Sequence, residues 1–268
     1  MSRARIGVFD SGVGGLTVAA RLLEDLPGVS YVYYGDTAHV PYGGRRPEEI
    51  VALVTPIAEH LLDCGAEALV MACNTSSALA LEEVRSWCPV PVVGIIEPAA
   101  RAAQEVTRSG RVGLIANPLT ARSGAYERAL AGSSVRLYAV GCPRLVPLVE
   151  AGDVSGPAAR QALLEYLEPL QEAGIDTLIL GCTHYPFLTP LIREILGPGV
   201  AIVDPAGYVV DELGRLGFAP GPGPAEHRYH VSGSPAEFER VGSRLLGRLL
   251  TGVVRVPLDG TSRAALAL

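Results

Sequence analysis

The sequence predicts an α/β protein of two similar domains, each a mainly parallel sheet flanked by helices, with the active site in the cleft between them. Three observations predict it. Short, continuous apolar runs alternate with longer stretches of helical spacing, the rhythm of parallel sheets covered by helices on both faces. That rhythm runs once through the first hundred residues and restarts near Arg111. Two of the apolar runs also end alike, in a small residue, a cysteine and two polar residues, at Ala72-Cys73-Asn74-Thr75 and Gly181-Cys182-Thr183-His184.

The elements are predicted in order as follows. Arg5–Phe9 reads as a buried strand, and a glycine-rich turn leads into a helix from about Leu16 to Leu26. Tyr31–Gly35 is a second strand. Glu48–Cys64 has helical spacing and ends at Gly65, a residue suited to a helix C-cap. Ala68–Ala72 is a third strand, a helix passes through Leu79–Trp87, and Val90–Ile96 is a fourth strand. The second series runs through a strand at Arg111–Ala116, a helix near Ser123–Leu130 and a strand at Val135–Val140. A long helix at Pro157–Ala173 and a strand at Thr177–Leu180 complete it. The first strands of the two series lie about 106 positions apart and the two cysteines 109, so two matches at nearly equal offset point to an internal repeat. Ala219–Ala225, with three prolines and two glycines, reads as a loop, Ala236–Leu250 as a final helix, and Gly260–Leu268 as a frayed tail.

Composition narrows the chemistry. With 268 residues, 49% of them apolar, the chain is long enough for a substantial core. The net charge is −6 and the basic residues are scattered, so nucleic acid is not expected as a partner. No apolar run reaches membrane-helix length and the start lacks signal-peptide features, so the expected address is cytoplasmic, away from the membrane. Five cysteines without a C-x-x-C pair suggest neither a disulfide framework nor a zinc knuckle. All 22 basic residues are arginine. A chain without lysine cannot form a pyridoxal phosphate internal aldimine or a Walker A phosphate loop.

Ligands in open α/β sheets bind beyond the carboxyl ends of the strands. Asp10-Ser11, Cys73-Asn74-Thr75 and Cys182-Thr183-His184 all sit at such ends. The turn Asp10-Ser11-Gly12-Val13-Gly14-Gly15 fails the dinucleotide pattern, because Thr17 occupies the place of the last glycine. It serves equally well as a tight turn or as a backbone site for a carboxylate. Both cysteines precede predicted helices, and a helix N-terminus lowers a thiol pKa, so appreciable thiolate is expected at both. A single strand-end cysteine reads as packing; a matched pair does not. Three readings of the pair remain open from the residues alone. Cys182 or Cys73 with His184 would suit a thiol hydrolase. Cys73, Cys182 and His184 would suit zinc by ligand type. A cofactor-free racemase uses both thiols, because inverting a stereocentre needs one proton-transfer group on each face of the carbon.

The sequence also resembles the glutamate racemases of the aspartate/glutamate racemase superfamily, nearly throughout to about Leu213. The resemblance rests on Gly7–Thr17, Tyr34-Gly35-Asp36-Thr37, Val40-Pro41-Tyr42-Gly43, Ala72–Thr75 and Gly94-Ile95-Ile96-Glu97-Pro98. It extends to Arg122-Ser123-Gly124-Ala125-Tyr126, Pro147-Leu148-Val149-Glu150 and Leu180–Pro186. It implies interconversion of L- and D-glutamate, supplying D-glutamate for peptidoglycan, without metal or organic cofactor. Cys73 would take the proton from one enantiomer and Cys182 from the other, with Asp10 assisting Cys73, and Glu150 with His184 assisting Cys182. Substrate would be held by Asp10, Ser11, Tyr42, Gly43, Asn74, Thr75, Thr120, Thr183 and His184. The resemblance implies an inserted second domain, giving residues 1–97 plus 207–255, then 98–206, with 256–268 as a tail. A homodimer is the expected assembly. Asn117-Pro118-Leu119 and Asp204-Pro205 depart from the usual family runs. The nearest rival substrate is aspartate, and a binding protein on the same scaffold is a rival of another class. Cys64, Cys88 and Cys142 read as packing residues, and His39, His60, His227 and His230 have no motif around them.

Overall fold

The computed structural model describes residues 5–220 and 225–258. In chain order the elements are β1 (Arg5–Asp10), α1 (Leu16–Asp25), β2 (Ser30–Gly35), a 3-10 turn (Tyr42–Gly44), α2 (Pro47–Asp63), β3 (Ala68–Met71), α3 (Asn74–Trp87), β4 (Val92–Gly94) and α4 (Ile96–Val106). There follow β5 (Arg111–Ala116), α5 (Pro118–Arg122), α6 (Ala125–Ala129), β6 (Arg136–Gly141), α7 (Leu145–Ala151), α8 (Pro157–Glu172) and β7 (Thr177–Gly181). The remainder are a second 3-10 turn (Tyr185–Leu188), α9 (Thr189–Leu196), β8 (Ala201–Val203), α10 (Pro205–Arg215), β9 (His227–Val231), α11 (Pro235–Leu246) and β10 (Val253–Arg255).

The strands form two sheets, in the orders β10-β9-β2-β1-β3-β4 and β6-β5-β7-β8. Every strand pair is parallel. The α/β class expected from the apolar runs is therefore the observed one, and so is the repeat. In the first sheet Ile6 pairs with Ala68; in the second Val112 pairs with Thr177. The same two positions of each unit thus meet in the same register, and β3-β1-β2 has its counterpart in β7-β5-β6. Cys73 and Cys182 follow equivalent strands.

The sheets share a core. Helices α4 and α10 lie between them: α4 packs on α10, β7 and β8, and α10 packs on α1, β4 and β7. One apolar cluster joins Val70, Ile96, Ala99, Leu114, Ile179, Val209 and Leu213. Burying each larger side chain contributes about 1.5–3 kcal/mol, so the join is held as a core is held. The expected domain limits at 97/98 and 206/207 fall inside these two helices.

Several elements differ from expectation for local reasons. Helix α3 begins at Asn74, a turn before the predicted Leu79 region. Its first residues, Asn74-Thr75-Ser76-Ser77, favour turns in isolation, but here they are buried. Ser76 Oγ donates to the Cys73 carbonyl at 3.0 Å and Ser77 Oγ to the Met71 carbonyl at 2.8 Å. Strand β4 is only Val92–Gly94, because Ile96 already opens α4. Helix α11 stops at Leu246, where Gly247 takes φ of 63°. Chain from Val256 to Leu258 is docked rather than a free tail: Val256 N donates to the Val231 carbonyl and Tyr34 Oη to the Val256 carbonyl. The expected fraying at Gly260–Leu268, and most of the loop at 219–225, lie outside the described residues.

Candidate active site

The cleft is built where the carboxyl ends of β1 and β3 face those of β5 and β7. It encloses about 430 Å³ and is lined from the first unit by Ser11, Tyr42, Gly43, Cys73, Asn74 and Thr75. From the second unit come Asn117, Glu150, Cys182, Thr183 and His184, with Pro143, Val146 and Pro147 making an apolar wall. Ten of the twelve site residues expected from sequence line this space.

The other two lie one layer behind. Asp10, 1% exposed, ends β1 beneath the cleft floor. Its carboxylate accepts from Gly12 N at 2.9 Å and from Thr183 Oγ1 at 3.3 Å, a bond that crosses between the two units. Burial pushes its pKa up, against the His184 charge and these hydrogen bonds. Thr120 is also buried, and its hydroxyl meets Thr75 Oγ1 at 3.0 Å. Thr120, expected among the substrate-binding residues, thus stands behind Thr75 and supports it.

Two glycines permit the units to close. A Cβ on Gly14 would meet the His184 imidazole at 2.6–2.7 Å and overlap Thr183 Oγ1; one on Gly43 would overlap the Asn117 amide. Asn117 itself caps α5, its Oδ1 accepting from Leu119 N at 3.0 Å. It departs from the usual family run, and it lines the cleft.

Cys73 lies two residues beyond β3 and caps α3. Its Sγ donates to Ser11 Oγ at 3.6 Å. Burial pushes the thiol up to about 11, and the Asp10 charge acts in the same direction, against hydrogen bonding at Ser76 and Ser11. The expected depressed thiol is therefore corrected for Cys73. A helix N-terminus contributes about 0.3–1 kcal/mol when exposed, and desolvation of a fully buried thiol outweighs it. Cys182, unlike Cys73, has no α-helix directly after it, since the chain passes into the 3-10 turn at Tyr185. What Cys182 has is an imidazole. Its Sγ lies 3.8 Å from His184 Nδ1, and His184 Nε2 lies 3.0 Å from Glu150 Oε1. Burial works against charge on His184, but bonding to Cys182 and Glu150 overcomes it and raises the pKa to about 10.

Asn74 carries the most pointed polar signal. Tyr126 Oη donates to Asn74 Oδ1 at 2.7 Å, which orients the amide. Asn74 Nδ2 is buried on the cleft wall with no partner. An unmet buried donor costs about 1–3 kcal/mol, so the site has a place for an acceptor. Tyr42 is fixed in a comparable way, its hydroxyl donating to Asp36 Oδ2 at 2.7 Å; Ser232 and His39 also meet that carboxylate. Tyr126 and Asp36 lay within motifs read from the sequence, but nothing in one dimension showed which side chains they support.

Zinc held by Cys73, Cys182 and His184 fits poorly. Among the described residues, the one group of three metal-type ligand atoms within 4.8 Å of one another is His60, Cys64 and His230, which lies outside the cleft.

Residues 14–213 match the family model described as Asp/Glu/Hydantoin racemase. A glutamate racemase from Desulforudis audaxviator is 46% identical over 261 residues, covering 92% of this chain and 96% of that one. Among solved structures, a glutamate racemase isoform from Bacillus anthracis has a TM-score of 0.91 at 38% identity, covering 96% of this chain and 99% of its own. The glutamate racemase from Francisella tularensis in complex with D-glutamate has a TM-score of 0.89 at 32% identity, covering 97% and 99%.

Proposed function

The chain belongs to the Asp/Glu/Hydantoin racemase family and stands with its glutamate racemases; from that premise we propose that Cys73 and Cys182 invert glutamate as a pair, one thiol on each face of Cα. The observation that carries the proposal is the placing of these two cysteines, at equivalent positions of the repeat, on one cleft of about 430 Å³. That volume is within the ordinary range for small-molecule sites.

The proton balance is simple. One cysteine, as thiolate, takes the Cα proton, and the electron pair stays on the substrate as a carbanion conjugated with its carboxylate. The other cysteine, as thiol, delivers a proton to the opposite face. One C–H bond breaks and one forms, and the two sulfurs exchange protonation states. The reaction needs no Schiff base, which a chain without lysine could not form.

The two thiols have different support. Cys182 lies against the protonated His184, whose charge Glu150 helps to hold. Cys73 sits above Asp10, whose negative charge disfavours thiolate in the free site. A substrate ammonium supplies the opposite charge there, so Cys73 gains basicity as substrate binds. Asn74 Nδ2 and the backbone near Ser11 and Thr75 would hold carboxylate oxygens, and Gly43 and Thr183 would complete the cradle.

The proposal extends to D-glutamate supply for peptidoglycan, a cytoplasmic address and association of two copies. Among the described residues no helix is long and apolar enough to cross a membrane. Sedimentation tests the assembly: a single-chain particle contradicts it. Circular dichroism of L- and D-glutamate, with aspartate as control, tests the reaction. We expect optical rotation to decay to zero from either enantiomer and deuterium to enter Cα in heavy water. Racemisation by a variant in which Cys73 and Cys182 are both replaced by Ala would contradict the two-thiol reaction.

A further inference from the structure

Outside the cleft, a second group of chemically active side chains converges on the back of the first sheet. Cys64 caps the C-terminus of α2 and His60 precedes it by four residues, the spacing that puts two side chains on one helix face. His230, on β9, meets them from the other side. His60 Nε2 lies 2.9 Å from His230 Nδ1, and Cys64 Sγ lies 3.7 Å from His60 Nε2. All three are half-buried, and their ligand atoms fall within 4.8 Å of one another.

We propose that His60, Cys64 and His230 form a binding site for a zinc-class divalent cation, with water as the fourth ligand. The ligand set is right, since two imidazoles and a thiolate suit zinc and its cobalt substitute. Two of the three ligand edges are close to what such an ion needs, and the third, Cys64 sulfur to His230, is within 4.8 Å. Zinc bonds of about 2.0–2.1 Å to nitrogen and 2.3 Å to sulfur give tetrahedral edges of roughly 3.3 Å between nitrogens and roughly 3.6 Å from nitrogen to sulfur. The observed nitrogen–sulfur gap already matches, and the two imidazoles need part by only a few tenths of an ångström.

Protonation favours the same outcome at the histidines. Burial lowers the pKa of His60 and of His230, which disfavours the ring charge that would repel a cation. Burial raises the Cys64 thiol, opposed by Arg228 and Arg5. Binding displaces the Cys64 proton to solvent, and the ring that donates in the His60–His230 hydrogen bond moves its proton, by exchange with solvent, to its other nitrogen, so that one proton is released in total. The flanking cations are themselves engaged, because Arg5 and Arg228 both pair with Glu226. Asp63, next to Cys64, acts on His60 in the direction that favours a nearby positive charge.

The place gives the ion a role. Helix α2 comes before the second sheet in the chain, and β9 comes after it. An ion on His60, Cys64 and His230 would clip the two separated parts of the first unit to each other. This goes beyond racemisation, and its test does not depend on activity.

The experiment is a titration of metal-free, reduced full-length protein with cobalt(II), followed by competition with zinc. We expect one cobalt per chain, a sulfur-to-cobalt charge-transfer band, and about one proton released per ion at pH 7. Cys64→Ser should remove the band, and His230→Ala should weaken binding by at least about tenfold. The double variant Cys73→Ser/Cys182→Ser should keep the band unchanged. Far-ultraviolet circular dichroism confirms that each variant is folded. A band lost in the double variant and kept in Cys64→Ser would put the metal in the cleft and overturn the site; so would wild-type protein that takes up no cobalt.

Discussion

At the residue scale, the two cysteines differ in how their protons are managed, and that difference is measurable. His184 must stay protonated to serve Cys182, and its pKa is held near 10 by bonding that includes Glu150. A group with a raised pKa keeps its proton to higher pH, so activity that needs the proton persists further into the basic range. Glu150→Gln removes a charged hydrogen bond worth about 1.5–3 kcal/mol, or roughly one to two pH units. The basic limb of the kcat/KM profile should move down by about that much. An unmoved limb would show that Glu150 does not tune His184. Asn74→Ala tests the unmet donor: KM should rise about tenfold for both enantiomers, the weight of one charge-assisted hydrogen bond. Both cysteines were legible from sequence because each closes an apolar run and is followed by two polar residues. The elevated Cys73 thiol was not, since its cause is burial over Asp10, a residue 63 positions away in the chain.

At the scale of elements, the site depends on helix starts that carry few helix-forming residues. Helix α3 begins on Asn74-Thr75-Ser76-Ser77, and its start was read late for that reason. Tertiary contacts supply what propensity lacks. Thr75 leans on Thr120 of α5, and Asn74 is oriented by Tyr126 of α6. Tyr126→Phe keeps the ring and deletes the oriented bond. Stability should fall by about 1–3 kcal/mol, the cost of an unmet buried acceptor, as read by urea denaturation. KM should rise while the fold persists. Unchanged KM with reduced stability would make Tyr126 a packing residue alone. Strands β1, β3, β5 and β7 were legible because parallel strands buried on both faces read as continuous apolar runs. Short elements such as β8 and β10, three residues each, were not. Too few side chains show a period over that length, and their pairing partners define them.

At the scale of the molecule, two parallel sheets share an apolar cluster and face each other across the cleft that Cys73 and Cys182 line. The repeat was visible in the offsets of 106 and 109, and the matched register of Ile6 with Ala68 and Val112 with Thr177 is its physical form. The closeness of the two units at the cleft was hidden, because it rests on missing atoms. Gly14 has no side chain where Thr183 and His184 approach. Gly14→Ala should displace His184 and lower kcat/KM about a hundredfold, the scale of an ångström of misplacement, with a near-native thermal midpoint. Full activity would show that the two units do not need this close approach.

The two-thiol assignment is tested most directly by proton exchange in heavy water with Cys73→Ala and Cys182→Ala, each given L-glutamate and D-glutamate separately. Each variant keeps one thiol on one face. Neither should racemise, and each should place deuterium in one enantiomer only, the two variants choosing opposite enantiomers. Racemisation by either variant, or exchange into the same enantiomer by both, would contradict one thiol on each face of Cα.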